Sequence, residues 1–378
     1  MRIAVVGAGP AGLYLSYLLK RRDRAADVRV FEQNRPDATF GFGVVFSDRA
    51  LEFLREDDPQ TYDAITPAME SWSDITLDLE GSVVRIDGVG FSAVGRLELL
   101  RLLQERAQAA GVAVRFERPV ASLDEVADAD LVIGADGVNS LVRRAHEVKF
   151  GATVEFLTNR FAWFGTTKRF ETLTQSFRRT ADGAFNAHHY RYSPHMSTFI
   201  VETDAATWER AGFAAMDEAA TKRYLEKVFA DVLDGHPLVS NKSIWRNFPK
   251  VANAHWRAEN AVLVGDALHT AHFSIGSGTR LAMEDAIALA RAIDAHPQDA
   301  YAAAAAYEAA RRPILDKLTT AANASAAWYE RFAEHMRLPP LEFAMSYIPR
   351  SGRVDRNRLR AVSPRFVAAY EAYEGSLP

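Results

Sequence analysis

A strand that runs straight into a glycine turn constrains this chain more than any other feature. Ile3-Ala-Val-Val6 is a short apolar run, and Gly7-Ala-Gly-Pro-Ala-Gly12 follows it at once. A strand covered on both faces reads as such a run. Gly7 allows the tight turn, Gly9 lets the backbone approach a pyrophosphate, and Gly12 lets the next helix pack close to the sheet. Pro10 and Ala11 complete that phosphate-facing turn, and Leu13, Leu15, Leu18 and Leu19 continue as an apolar helical stretch. The helix N-terminus then presents free N–H groups and its dipole to an anion. A second strand, Val28-Arg-Val-Phe31, ends at Glu32, about 20 residues past the last glycine, where a carboxylate accepts hydrogen bonds from a ribose. Glu32, with Arg35 just beyond it, is therefore a candidate contact to a dinucleotide, and NAD and FAD both remain open on this evidence.

Two later segments repeat the pattern. Asp130-Leu-Val-Ile-Gly-Ala-Asp136 reads as a strand ending in an acid, and Gly137, Ser140 and Arg143 complete D-G-x-x-S-x-x-R. Taken alone, Asp136 or Ser140 is equally a helix N-cap with Arg143 in solvent. Asn260-Ala-Val-Leu-Val-Gly-Asp266 is a third such strand, followed by a polar glycine loop through Gly276 and Gly278 and a long helix opening near Leu281. Asp266 is placed to bind hydroxyls of a ribityl chain, and the helix N-terminus to face a ring on which negative charge develops.

Length and composition set outer limits. A chain of 378 residues suits two intimately joined domains. The formal net charge of −4 argues against nucleic acid as a partner. Without cysteine there is no disulfide, thiolate metal site or cysteine nucleophile. No HExxH or metal triad is present, so no metal is expected. No apolar run approaches a membrane span, and a strand from residue 2 leaves no room for a signal peptide, so the expectation is a cytoplasmic protein with no membrane contact. The oligomeric state is not legible. Ala302–Ala310 reads as helix rather than tether.

Together, Gly7–Gly12, Asp136-Gly-x-x-Ser-x-x-Arg143 and Gly265-Asp266 resemble the three motifs of the group A flavoprotein aromatic hydroxylases, the para-hydroxybenzoate hydroxylase superfamily. The resemblance spans nearly the whole chain. It implies an α/β fold: a Rossmann-like FAD-binding domain from 1–150 and 255–330, an inserted antiparallel-sheet substrate domain over 151–254 with part of 40–95 contributing, and a C-terminal helical tail over 331–378. It implies FAD bound tightly but not covalently, NADH or NADPH as a transient reductant, and O2. A flavin C4a-hydroperoxide would then hydroxylate an electron-rich ring. By the same carry-over Arg96 reaches the pyrophosphate, Asp136, Gly137 and Arg143 support the flavin and nicotinamide, Gly265 and Asp266 hold the ribityl chain, and Gly276, Gly278 and Thr279 approach the flavin ring.

The third loop departs from the common pattern, with His272-Phe273 where a proline is usual and Thr279-Arg280 where an asparagine is usual. Thr39–Ser47, His272–Thr279, Ala282–Ile287 and Ile348-Pro-Arg-Ser-Gly-Arg353 resemble the branch that hydroxylates salicylyl-CoA and anthraniloyl-CoA at the ring 5-position. Tyr192–Glu202 and Trp245-Arg-Asn-Phe248 also resemble the violacein-pathway indole hydroxylase, so a free indole or another aromatic intermediate is the rival substrate. A non-catalytic flavin-fold binding protein is the remote alternative. Aromatic β-prone runs at Phe161–Phe170, Ala184–Tyr192 and Ser197–Glu202 suggest a sheet over the flavin. His188, His189, Tyr190 and Tyr192 alternate on it, so one pair faces the ring pocket. Phe42, Val45, Trp163, Tyr190 and Phe273 are the candidate substrate wall, and His189 or His272 the candidate base. The cations available to CoA phosphates are Lys168, Arg169, Arg178, Arg179, Arg350, Arg353, Arg356 and Arg358.

Overall fold

The computed structural model describes residues 1–47 and 51–376. Its first sheet has the strand order Arg257–Ala258, Ala261–Leu263, Leu131–Gly134, Arg2–Val6, Asp27–Phe31, Val114–Arg115. All neighbours are parallel except the first pair. Ligands of an open parallel sheet bind beyond the carboxyl ends of its strands. Here that edge carries Gly7, Glu32, Asp136 and Asp266, each following its own strand. Adjacency in the sheet is what brings segments 130 and 260 residues apart to one cleft.

Local chemistry accounts for these elements. Helix Pro10–Arg22 starts with proline at its first turn, where the missing N–H is no loss, and ends in Lys20, Arg21 and Arg22, which complement its dipole. Its residues Ala11 to Leu19 are all buried. Helix Gly278–Ala295 begins three residues before the expected Leu281. The alanine-rich segment is part of helix Ala300–Tyr329, which continues through Pro313.

The second sheet runs Leu238–Ser240, Ala152–Thr166, Ser197–Thr203, Ala184–Arg191, Leu173–Arg179, Ile75–Leu79, Ser82–Ile86, with Arg246–Asn253 also paired to Ala152–Thr166. The strand expected over 161–170 starts nine residues earlier and stops at Thr166. A separate strand, Leu173–Arg179, turns at Asp182-Gly183 into Ala184–Arg191. Both faces of this sheet are covered. One packs Phe164, Phe185 and Phe199 with Phe213 and Phe229. Phe177, on the other, meets Trp328, Phe332 and Phe343 of the C-terminal helices. A small sheet of Gly43–Ser47, Phe91–Gly95 and Glu70–Trp72 also belongs to the fold. No helix among the described residues is long and apolar enough to cross a membrane.

Candidate active site

The nucleotide end of the cleft is built from backbone. The Gly7 N–H donates to Phe31 O at 2.8 Å, and Gly7 adopts φ +104°, a left-handed conformation that favours glycine. A Cβ there would lie 2.3 Å from Ala135 O, and one on Gly12 would lie 2.0 Å from Gly7 O. These backbones touch, so the first motif and the second are packed as one unit. A Cβ on Gly9 meets nothing within 4 Å, which leaves open space at the N-terminus of a 13-residue helix. Substituting Gly12→Ala forces two backbone segments apart. The expected result is a loss of about 1–3 kcal/mol of stability and purified protein with much less bound flavin, read as the ratio of visible to ultraviolet absorbance.

Glu32 accepts hydrogen bonds from the Ala8 N–H at 2.8 Å and from Asn34 N and Nδ2 at 2.8 and 2.7 Å. The carboxylate is thereby fixed at the strand end with lone pairs to spare. Arg35 is exposed and pairs with Asp37 at 3.1 Å. Asp136 Oδ2 accepts from the Leu141 N–H at 2.6 Å, while its Oδ1 is buried with no partner among the described residues. Burial pushes its carboxyl pKa up, against hydrogen bonds from Ser140 and the helix. Ser140 caps that helix by accepting from Arg143 N. Arg143 is not in solvent. It is 4 % exposed and donates to Ala267 O at 2.8 Å and to Val138 O, tying the second motif to the third.

Asp266 combines two properties that only a cleft wall combines. Its surface is exposed, yet enclosing protein raises its carboxyl pKa, with His269 and Arg96 pulling the other way. Arg96, at the head of helix Arg96–Ala109, is its counterpart: burial lowers its pKa, while Asp266 and Tyr190 oppose that. Neither side chain has a hydrogen-bond partner among the described residues. A cation and an anion that feel each other's charge without pairing, with the Gly9 helix and Glu32 on the same sheet edge, fit an elongated dinucleotide with hydroxyls and phosphates. Those residues could hold FAD.

The third loop is pinned from below by a network that the sequence reading did not identify. Asp285, wholly buried, accepts from Gly265 N at 3.1 Å, His269 Nε2 at 2.7 Å and Arg311 Nε at 2.9 Å. Arg311 also pairs with Glu284 at 2.6 Å. Its one sequence signal is an acid set among Met283, Ala286, Ile287 and Leu289, the apolar stripe of its helix.

Beyond Gly276 and Gly278 the cleft wall becomes aromatic. Phe273 lies 5.1 Å from Phe161, 6.1 Å from Phe248 and 6.3 Å from His188, ring centre to ring centre. Tyr190 donates to Gly43 O at 3.0 Å, and Trp163 packs against Gly41. Val45 touches the Gly276 turn, and Phe42 sits over Gly165. Thr279 follows at the start of helix Gly278–Ala295. The structure thus gathers Val45, Tyr190 and Phe273 with the third loop or the Gly43 segment that meets it.

Both candidate bases need correction. His189 lies on the far face of the sheet, stacked on Phe199 and bonded to Ser176 Oγ at 2.9 Å, beside a hollow of about 350 Å³ lined by Lys168 and Arg178. The residue facing Phe273 is His188, because alternate residues of a strand point to opposite faces. His272 does stand in the cluster, but its Nδ1 is occupied. Arg350 Nε donates to Ser325 Oγ at 3.0 Å, Ser325 lies 2.8 Å from Ser274 Oγ, and Ser274 lies 2.8 Å from Nδ1. With each hydroxyl donating onward, Nδ1 accepts and Nε2 keeps the proton. Burial, then His188 and Arg350, lowers the His272 pKa to about 3. His272 is arranged as a neutral donor through Nε2 rather than as a base.

Residues 1–322 match the family model described as FAD binding domain. The chain is 44% identical over 377 residues, 97% of its length and 72% of the relative's, to the salicyloyl-CoA 5-hydroxylase of a Streptomyces species. It is 37% identical to the 3-hydroxy-4-methyl-anthranilyl-[aryl-carrier protein] 5-monooxygenase of Streptosporangium sibiricum, covering 88% of this chain and 90% of that one. Its backbone is similar to the crystal structure of 2-methyl-3-hydroxypyridine-5-carboxylic acid oxygenase, with a TM-score of 0.74 at 18% identity over 93% and 96% of the two chains.

Proposed function

We propose, for a chain that belongs to the FAD binding domain family and is an FAD-dependent monooxygenase, that its substrate is an aromatic acyl thioester hydroxylated on the ring, with salicyloyl-CoA as the leading candidate. The observation that carries this reading is the aromatic cradle of Phe161, Phe248, Phe273 and His272, built on the loop that follows Asp266. Bound FAD supplies the redox chemistry, accepting hydride from NADH or NADPH and delivering one oxygen atom of O2 to the ring.

The residues have separable tasks in this reading. The Gly9 helix and Arg96 face the pyrophosphate, Glu32 a ribose, and Asp266 the ribityl hydroxyls. Arg143 holds the second and third motifs together instead of touching the nicotinamide. Phe161, Phe248 and Phe273 position the ring and exclude water from the reacting face. His272 donates a hydrogen bond through Nε2 to an oxygen brought against it.

The thioester's phosphates need cations, and most candidates are already engaged. Lys168 pairs with Asp234, Arg178 with Asp78 and Asp231, and Arg356 with Glu374. Arg179 donates to Ala333 O. Arg350 spends its donors on Ser325 Oγ, Tyr347 O and Ser274 O while stacking on Tyr347 at 3.7 Å, so it clamps the third loop. Arg353 and Arg358 are exposed and have no carboxylate in ion-pair reach among the described residues. Burial, then Arg280 and Arg358, lowers the Arg353 pKa, as expected where like charges crowd. Arg353 and Arg358 are the proposed phosphate contacts, near the start of helix Gly278–Ala295, where Arg280 is itself paired with Glu284 at 2.7 Å.

The test is a panel of aromatic acids, their CoA thioesters and tryptophan-derived indoles, read as stimulated NAD(P)H oxidation with gain of one oxygen atom in the product. CoA thioesters should stimulate most. Replacing Arg353 and Arg358 together by alanine should raise the KM for the CoA thioester about tenfold or more while leaving kcat near its original value. Stimulation by free indoles alone would replace this reading with the indole one.

A further inference from the structure

The hydrogen-bond chain from Arg350 through Ser325 and Ser274 to His272 Nδ1 has a direction, and its far end fixes it. A guanidinium has donors and no acceptor, and it stays charged at every working pH. Ser325 Oγ therefore accepts from Arg350 and donates its own O–H to Ser274, whose O–H is left for Nδ1. The Ser274 N–H adds a second, longer donor to Nδ1 at 3.4 Å. Ser325 is wholly buried and Ser274 is 6 % exposed, which shields the chain from bulk water.

Arg350 is free to serve as the anchor. No carboxylate lies in ion-pair reach of it among the described residues, and its other hydrogen bonds go to Tyr347 O and Ser274 O. Ser325 belongs to helix Ala300–Tyr329 and Arg350 to the turn Ile348–Ser351. Both lie past residue 322, where the match to the FAD binding domain ends. The consequence falls on Nε2. It carries the ring proton, has no hydrogen-bond partner among the described residues, and belongs to a ring set among Phe248, Phe273 and Tyr329.

We propose that Arg350 and Ser325 are positioning residues that lock His272 as an Nε2–H donor, and that the lock selects rings presenting a hydrogen-bond acceptor over rings whose polar group is an N–H donor. The carbonyl oxygen of an aromatic acyl thioester brought against Nε2 gains a hydrogen bond in a site walled by apolar rings. An indole N–H brought there sets donor against donor and leaves both unpaired. Selection comes from the group left unpaired in the wrong complex as well as from the bond made in the right one. The thioester as the acceptor-bearing substrate rests on the reading given above, whereas the tautomer is a property of the enzyme alone.

Two measurements on the FAD-loaded enzyme near neutral pH test this. The first is nitrogen NMR of protein with isotope-labelled histidine rings, the His272 signals being those lost in His272→Phe. Nδ1 should be bare and Nε2 protonated as one static tautomer, and in Ser325→Ala the two forms should average. The second is binding of 1-indanone, indole and indane, three bicyclic probes of similar shape that offer an acceptor, a donor and neither, followed through the flavin absorbance. The ratio of 1-indanone to indole affinity should fall at least about threefold in Ser325→Ala, with indane binding unchanged. Arg350→Lys, still a charged donor, should keep the ratio, and losing it there overturns the role of Arg350. An averaging or Nδ1-protonated ring in the unaltered enzyme overturns the lock, and an unchanged ratio in a Ser325→Ala protein with normal FAD content overturns the selection. If Ser325→Ala fails to retain FAD, Ser274→Ala is read in its place. Stimulation of NAD(P)H oxidation by indoles and not by the N-acetylcysteamine thioester of 2-hydroxybenzoate sinks the thioester reading, while the NMR still decides the lock.

Discussion

Asp285→Asn will cost the folded holoprotein about 3–5 kcal/mol and leave it largely without FAD. The carboxylate is wholly buried and is the shared acceptor for Gly265 N, His269 Nε2 and Arg311 Nε. Burial alone would raise its pKa, but His269 and Arg311 outweigh that and hold it below the ordinary carboxylate value. An asparagine keeps the shape, loses the charge and turns an amide N–H2 toward a guanidinium. Arg311, 4 % exposed, would then keep Glu284 as its one carboxylate partner among the described residues, with Leu281 O at 3.5 Å.

The cofactor effect follows from position. Gly265 begins the turn that presents Asp266 to the cleft, and Arg143 binds the same turn through Ala267 O. Releasing Gly265 loosens the ribityl-facing acid and the junction between two motifs together. The checks are urea unfolding with excess FAD and the visible-to-ultraviolet absorbance ratio after gel filtration. Pairing Asp285→Leu with Arg311→Met supplies a control, since removing both charges should cost less than removing either one. Normal stability and normal flavin content in Asp285→Asn would show that the network does not hold the loop.

The parts of the site legible in the sequence are those fixed by local backbone. A glycine placed where a Cβ would lie 2.0 Å from a carbonyl is a constraint written at one position. The same holds for an acid at a strand end, so Glu32, Asp136 and Asp266 were found. The unread parts depend on which distant surfaces meet. Alternation showed that His188 or His189 faces the pocket, but the sheet is covered by aromatic residues on both sides, so parity alone could not choose. Arg350 looked like one of a run of tail cations because its partners Ser325 and Ser274 lie 25 and 76 residues away. Arg143 sat between cap-and-solvent and cofactor readings, and its partner Ala267 O is 124 residues distant. Glu202 lay inside a quoted motif, yet nothing local marks a glutamate in an apolar strand as deprived of a counter-ion.

Glu202→Gln will make the holoprotein more stable at alkaline pH and leave it unchanged in acid. Burial is the main cause that raises the Glu202 pKa from 4.5 to about 8; Asn159 pulls it down and Glu330 pushes it up. The native state therefore keeps a proton that the unfolded chain releases above its ordinary carboxyl pKa. Stability from this group is fully present below about pH 4.5 and declines until about pH 8, a loss of roughly 5 kcal/mol across that window at 1.36 kcal/mol per unit. His188 and His272 act in the opposite sense. Each falls from 6.5 to about 3, so the unfolded chain takes up protons first and stability is lost as pH drops below 6.5. Two histidines outweigh one glutamate on the acid side and none opposes it on the alkaline side, which places the maximum these groups produce near pH 6.5. Glutamine presents the same size and a neutral hydrogen-bonding group, so it matches protonated glutamic acid and removes only the alkaline decline. Urea midpoints measured with excess FAD at about pH 4, 6 and 8 should coincide for the two proteins at the first and separate progressively at the others. Parallel curves across the range would mean that Glu202 ionises in the native state as it does in the unfolded chain.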